Sequence, residues 1–186
     1  MVWLSAPRGR CRTASTLDNL VIASSKEASL AQAKDAVTIS IEDPGAPGVA
    51  ALLAASDGYM AALYPQESNH MLNLAALRKP NVCFLVGRRA GAALGCGAVV
   101  SFDEQVWAEL KRMWVVPAAR GLGLGRRLLS ELEDVARGRG LRMVRLETGI
   151  AQPEALGLYR SCGYVECGPF GDYRPDPLSI FMEKRL

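Results

Sequence analysis

Val115-Val116-Pro117-Ala118-Ala119-Arg120-Gly121-Leu122-Gly123-Leu124-Gly125-Arg126 reads as a strand end, a turn and a helix start. Gly121, Gly123 and Gly125 remove side chains where a backbone must approach a bulky anion. The amides of the loop and of the first helical turn are then free to donate, and the helix dipole adds a positive end. Arg120 and Arg126 offer charge-assisted bonds to phosphate. Together these features describe a diphosphate site. A dinucleotide fingerprint counted from Gly121 wants glycine where Arg126 stands, and a P-loop needs a Gly-Lys-Ser/Thr that the stretch lacks. Both readings fail on spacing.

Working outward, apolar periodicity marks the neighbouring elements. Leu124, Leu128, Leu132, Val135 and Ala136 line one face of a helix that ends near Gly138 to Gly140. Upstream, 82–88 and 92–101 are apolar runs joined by Arg89-Ala90-Gly91, a hairpin signal, and 105–116 continues as a third strand. Residues 37–41 alternate as a strand closed by Asp43-Pro44, and 49–63 has helical spacing that Tyr64-Pro65 ends. Asn69 is a candidate cap for a helix from His70 to about Arg78. Downstream, 141–147 is strand-like, 153–161 is a helix with proline in its first turn, and 164–167 and 178–183 are the last strands. The order β-α-α-β-β-β-α-β-α-β-β predicts an α/β (α+β) fold, a mixed sheet with helices on both faces.

Composition narrows the class. The chain has 186 residues, 49% apolar and 22% charged, ordinary for a soluble domain with a substantial core. Its net charge of +3 gives no argument for nucleic acid or a membrane surface, and no apolar run approaches the roughly 18 residues of a spanning helix. Arg8, Arg10 and Arg12 are not followed by an apolar stretch, so no secretory leader is expected. The five cysteines (Cys11, Cys83, Cys96, Cys162 and Cys167) form no CxxC, and His70 is the single histidine. Neither a metal site nor a disulfide framework is expected, and a reducing cytoplasm is the simplest home. Residues 1–36 carry five basic and three acidic residues, a weak helical pattern and no chemistry, and read as an N-terminal extension to a single domain over 37–186.

The loop resembles motif A of the GNAT acetyltransferase superfamily, V-x-P-x-x-R-G-x-G-x-G/A, from Val115 to Gly125 without a gap. A second stretch, Ala155-Leu156-Gly157-Leu158-Tyr159-Arg160-Ser161-Cys162-Gly163-Tyr164, resembles its motif B. The resemblance implies a mixed, mostly antiparallel central sheet that is flanked by helices and splayed at an acyl-CoA site. It implies acetyl-CoA as co-substrate, with the pyrophosphate held by Arg120, Gly121, Leu122, Gly123, Gly125 and Arg126. The pantetheine arm would lie along the backbone of Met113 and Val115. Where the family often has asparagine before motif B, this chain has Gln152-Pro153-Glu154.

Aminolysis of a thioester needs a neutral amine, a stabilised oxyanion and a proton for the departing thiolate. Tyr159 is the family-matched donor of that proton, and otherwise a buried tyrosine beside the cofactor. An amide near Met113 to Val115 would hold the oxyanion. Glu109, expected to share a strand face with Lys111 and Met113, is either the base or a strand glutamate paired with Lys111; Glu147 is the second candidate. The acceptor is expected between Tyr64 and His70 and along the connection from Phe170 to Ser179. There Asn69 is a helix cap or a substrate group, and His70 a base, a binding group or a solvated residue. Both stretches look like those of a bacterial subgroup of uncharacterised GNAT enzymes.

The acidic residues Glu67, Glu109, Glu147, Glu154, Asp172 and Asp176 favour a cationic amine such as a polyamine or amino sugar. Arg112 and Arg174 favour an amino-acid-like acceptor with a carboxylate. The expected activity is therefore acetyl transfer to a primary amine of a small molecule, with no nucleic-acid, membrane or metal partner. The alternatives are a protein or peptide N-acetyltransferase and a catalytically silent acyl-CoA-binding module. Many proteins of this fold are dimers, which makes a homodimer an expectation.

Overall fold

A computed structural model describes residues 36–68, 71–102 and 105–186. Strands β1 (Thr38–Ile41), β2 (Val82–Arg89), β3 (Ala92–Ser101), β4 (Trp107–Val115), β5 (Met143–Gly149), β6 (Val165–Cys167) and β7 (Ser179–Arg185) form one sheet. Its order is β1-β2-β3-β4-β5-β7-β6, antiparallel throughout except for the parallel pair β4–β5. Helices α1 (Val49–Leu63), α2 (Leu74–Leu77), α3 (Leu124–Gly138) and α4 (Pro153–Ser161) complete the described elements, with single 3-10 turns at Gln66–Ser68 and Pro117–Ala119. The sequence order of strands and helices is as expected from periodicity.

Alternation along β2 explains the two layers. Cys83 and Leu85 face a core built with the α3 stripe of Leu124, Leu128, Leu132 and Ala136. Phe84 and Val86 face the other side, where Val49, Leu52 and Leu53 of α1 cover the sheet. Each of the fully buried leucines on α3 contributes roughly 1.5–3 kcal/mol relative to exposure, so this stripe holds the glycine-rich loop before it in place.

Two irregularities in β4 position the site. The β4–β5 ladder stops at Leu110↔Leu146. Beyond it β4 stays paired with β3 as far as Val115↔Gly95, and β5 with β7 as far as Gly149↔Ser179, so the sheet opens between them. Just past that point, Arg112 and Met113 oppose the single residue Gly97, a β-bulge whose Arg112 has φ 58°. The extra residue reverses side-chain parity. Glu109 and Lys111 lie on one face, whereas Met113 packs into the α3-side core. This corrects the expectation that Met113 shares the face of Glu109, because the strand does not alternate through the bulge.

The segment after α1 also departs from expectation. The short helix α2 starts at Leu74, where Asn73 Oδ1 accepts the Ala76 N–H at 2.9 Å. The expected helix from His70, capped by Asn69, is thus replaced at its start: Met71 to Asn73 are not helical, and the later asparagine supplies the cap. Asn69 and His70 themselves lie outside the described residues. At the end of α1, Tyr64 is extended and its hydroxyl accepts the Ala151 N–H at 2.9 Å. Its ring fills the space over Gly149, where a Cβ would fall inside the phenol. This contact pins α1 to the connection between β5 and α4.

Candidate active site

The start of α3 carries a set of backbone donors without helical partners. Gly121 and Gly123 have φ 76° and 78°, a left-handed pair that turns the chain sharply into the helix. Gly123 is the N-cap and has no side-chain cap, and the first helical bond runs from Arg127 N–H to Gly123 O at 3.1 Å. The amides of Leu124, Gly125 and Arg126 therefore have no partner within the helix. They border a cavity of about 450 Å³, within the range of small-molecule sites. Gly125 has its own reason: a Cβ there would come 3.3 Å from Leu158 of α4. Leu122, expected beside the pyrophosphate, does not line the cavity, and its side chain is exposed.

The open end of β4 forms the opposite wall. Val116 N–H bonds Leu94 O of β3, so by alternation the N–H and C=O groups of Val115 and the C=O of Met113 point away from β3, toward the gap that β5 has left. Both residues line the cavity. Arg120 Nε donates to Val115 O at 3.2 Å while its guanidinium stacks on Trp114 and Tyr59, 5.0 and 5.5 Å from the ring centroids. Arg126 reaches the end of α4, donating to Ser161 Oγ at 2.9 Å. Both arginines line the cavity, with donors turned onto protein groups.

Tyr159 stands in the wall between this cavity and a second one of about 80 Å³. Met113, Gln152 and Ala155 share that wall. Burial, and then the charge of Glu147, push the Tyr159 hydroxyl above the ordinary tyrosine range, so it keeps its proton at neutral pH. Its ring packs against Tyr164 with centroids 5.7 Å apart.

The small cavity is lined by polar groups from five separated stretches, among them Ser56, Lys111, Arg112, Glu147 and Thr148. Glu147 accepts the Ser179 hydroxyl at 2.6 Å, which ties the 170–178 connection to the site. Glu109 lines neither cavity. It is buried, accepts the Tyr173 hydroxyl at 2.7 Å and pairs with Lys111 Nζ at 3.0 Å; Lys111 also bonds the Tyr173 hydroxyl. Of the two candidate bases, the structure brings Glu147 to Tyr159 and sets Glu109 behind Lys111.

Three wall residues escape the sequence reading. Gln152 accepts the Gly149 N–H at 3.0 Å and the Thr148 hydroxyl at 3.2 Å. Tyr59 and Trp114 pack with centroids 5.0 Å apart. A signal existed on α1, where Ser56, Tyr59 and Met60 have i, i+3, i+4 spacing and therefore share one face. Among the described residues no group of three or more His, Cys, Asp or Glu is arranged to hold a metal, and no helix is long and apolar enough to cross a membrane.

Buried acids set an alkaline limit on stability. Tyr159 and Tyr164 are raised chiefly by burial, and the Cys96 thiol is pushed up to about 12 for the same reason. A raised folded-state value means that stability is complete below the ordinary value and is lost as pH rises past it, because the unfolded chain ionises first. Tm is expected to stay level from pH 7 to 8, to begin to fall near pH 9 where the unfolded Cys96 thiol ionises, and to fall more steeply above pH 10 where the tyrosines join it. Each buried tyrosine costs at most about 1.4 kcal/mol per further pH unit. A thermal melt series to pH 11 checks this, and a level Tm throughout contradicts it.

Comparison with known proteins agrees with this geometry. Residues 49–164 match the family model described as Acetyltransferase (GNAT) family. The IAA acetyltransferase of Azospirillum brasilense is 51% identical over 150 residues, covering 81% of this chain and 98% of that protein. The uncharacterised N-acetyltransferase YsnE of Bacillus subtilis is 35% identical, covering 80% and 99%. A Klebsiella pneumoniae crystal structure classed with the acyl-CoA N-acyltransferases superposes with a TM-score of 0.72 at 40% identity, covering 81% of this chain and 97% of that one.

Proposed function

The chain belongs to the GNAT acetyltransferase family, and from that premise we propose that it moves an acetyl group from acetyl-CoA to a primary amine of a small molecule. The transfer is a direct attack within a ternary complex. One observation carries the reading: Tyr159 stands in the wall common to the large cavity and the small one, where a donor and an acceptor would meet.

The residues fit the co-substrate. The uncapped amides at the start of α3 suit a diphosphate, and the Met113 carbonyl and Val115 backbone, turned away from β3, suit the amide-bearing pantetheine arm. Bound there, acetyl-CoA supplies the activated thioester. Glu147 draws the acceptor ammonium and takes its proton, leaving a neutral nitrogen. A backbone N–H at the open end of β4 donates to the carbonyl oxygen as charge develops on it. Tyr159 gives its proton to the departing sulfur and regains one from the nitrogen that has attacked, so that an N–C bond replaces the C–S bond and CoA leaves as a thiol. Glu147 takes the role of base ahead of Glu109 because it lines the acceptor cavity.

A small acceptor is supported by the size of the second cavity and by Ser68, which belongs to its wall and narrows it from the 64–70 side. The name of the Azospirillum relative points the same way. The test is thiol release from acetyl-CoA against a panel of candidate acceptors, IAA among them, with initial rates varied in both substrates. Intersecting double-reciprocal lines are expected, and parallel lines contradict direct attack. No thermal shift with any acyl-CoA removes the reading altogether.

A further inference from the structure

Arg112 combines three features that the fold does not require of it. It holds a left-handed backbone conformation without being glycine, φ 58°, at the bulge in β4. Its side chain is 3% exposed, yet the five donors of its guanidinium are poorly matched. One terminal nitrogen reaches Asp57 and, at 2.9 Å, the weak acceptor Met71 Sδ; the other finds Leu53 O only at 3.4 Å. Nε has no partner among the described residues. An unmatched buried donor on a cation costs more than a neutral one and is expected to be relieved by an oxygen ligand.

Arg112 lines the small cavity together with Lys111 and Glu147. The Lys111 charge is met by a carboxylate as buried as itself, at 12% and 9% exposure. Asp57, the partner of Arg112, is 53% exposed, so water screens its charge while the guanidinium stays in the interior. Among the described residues, the cavity wall therefore presents one under-compensated cation, Arg112, and one carboxylate, Glu147. We propose that the acceptor is an amino carboxylate, with its carboxylate on the Arg112 guanidinium and its amine at Glu147. The volume of about 80 Å³ is under about three waters' worth of liquid, so the cavity takes the charged head of the molecule, carrying both groups.

This rests on the acetyl-transfer reading, and the experiment separates the two. Thiol release is measured for the wild-type chain with alanine, alaninamide and ethylamine at saturating acetyl-CoA. Alaninamide is a less basic amine than alanine and offers more of its neutral form, so amine ionisation works against the expected result. The expected kcat/KM for alanine exceeds both others by about tenfold or more, the scale of one lost charge-assisted contact. Equal or better use of alaninamide or ethylamine overturns the proposal. In Arg112→Lys the preference is expected to collapse toward one while the thermal shift with acetyl-CoA persists; a preference that survives overturns the role of Arg112. If the variant does not fold, the wild-type ratio decides alone. Silence with every amine overturns the acetyl-transfer reading instead, and calorimetric binding of alanine against alaninamide then decides the carboxylate site.

Discussion

Tyr159→Phe is expected to lower kcat by about 10²- to 10⁴-fold at saturating acetyl-CoA, the usual contribution of a positioned proton donor. The substitution removes one hydroxyl and keeps the ring that packs on Tyr164, so the fold and the walls of both cavities are retained. KM for acetyl-CoA should stay within a few-fold, because the backbone groups that fit it belong to α3 and β4. Burial and Glu147 hold the hydroxyl above the ordinary tyrosine range, so this group gives the wild-type rate no alkaline fall below about pH 10. Steady-state rates for the purified variant decide the matter. Turnover equal to wild type would leave Tyr159 as a packing residue only.

The second large effect is expected from Glu147→Gln. Glutamine keeps an oxygen for the Ser179 hydroxyl, 2.6 Å away in the wild type, but it cannot take a proton or attract an ammonium. Amine kcat/KM should fall by about 10²-fold at neutral pH and recover part of the loss as pH rises and the free amine supplies its own neutral form. The pH–rate profile carries the discrimination, since a merely structural loss would lower every point alike. Glu109→Gln is the companion measurement. A normal Glu147→Gln profile beside an impaired Glu109→Gln one would hand the base to Glu109, despite its bonds to Tyr173 and Lys111.

The sequence made the frame legible where physics is local. Helical spacing marked α1, α3 and α4 because Tyr64-Pro65, the glycine-rich turn and Pro153 punctuate them, and the boundaries match to the residue at Val49, Leu63, Pro153 and Ser161. The loop was legible for the same reason: its glycines, arginines and flanking elements are contiguous. The acceptor side was not. Its wall brings together α1, β4, β5 and the turn before α4, and no spacing rule links Ser56 with Arg112 or Glu147. The bulge was also hidden, because a left-handed arginine has no composition signal, and with it went the face on which Met113 lies. Asn73 displaced Asn69 as a cap because two asparagines four residues apart offer the same local chemistry, and only packing of Leu77 into the α1-side core chooses between them.

Tyr64 over Gly149 has a consequence for descent as well as for shape. The phenol occupies the volume that any side chain at 149 would need, and its hydroxyl is already committed to the Ala151 amide. Neither position can drift first without cost: a methyl at 149 evicts the ring, and a smaller residue at 64 strands the amide and opens a hole. The pair therefore passes between generations as a single character. In an alignment of relatives, glycine at 149 should accompany an aromatic at 64, and lineages that lost one should have lost the other.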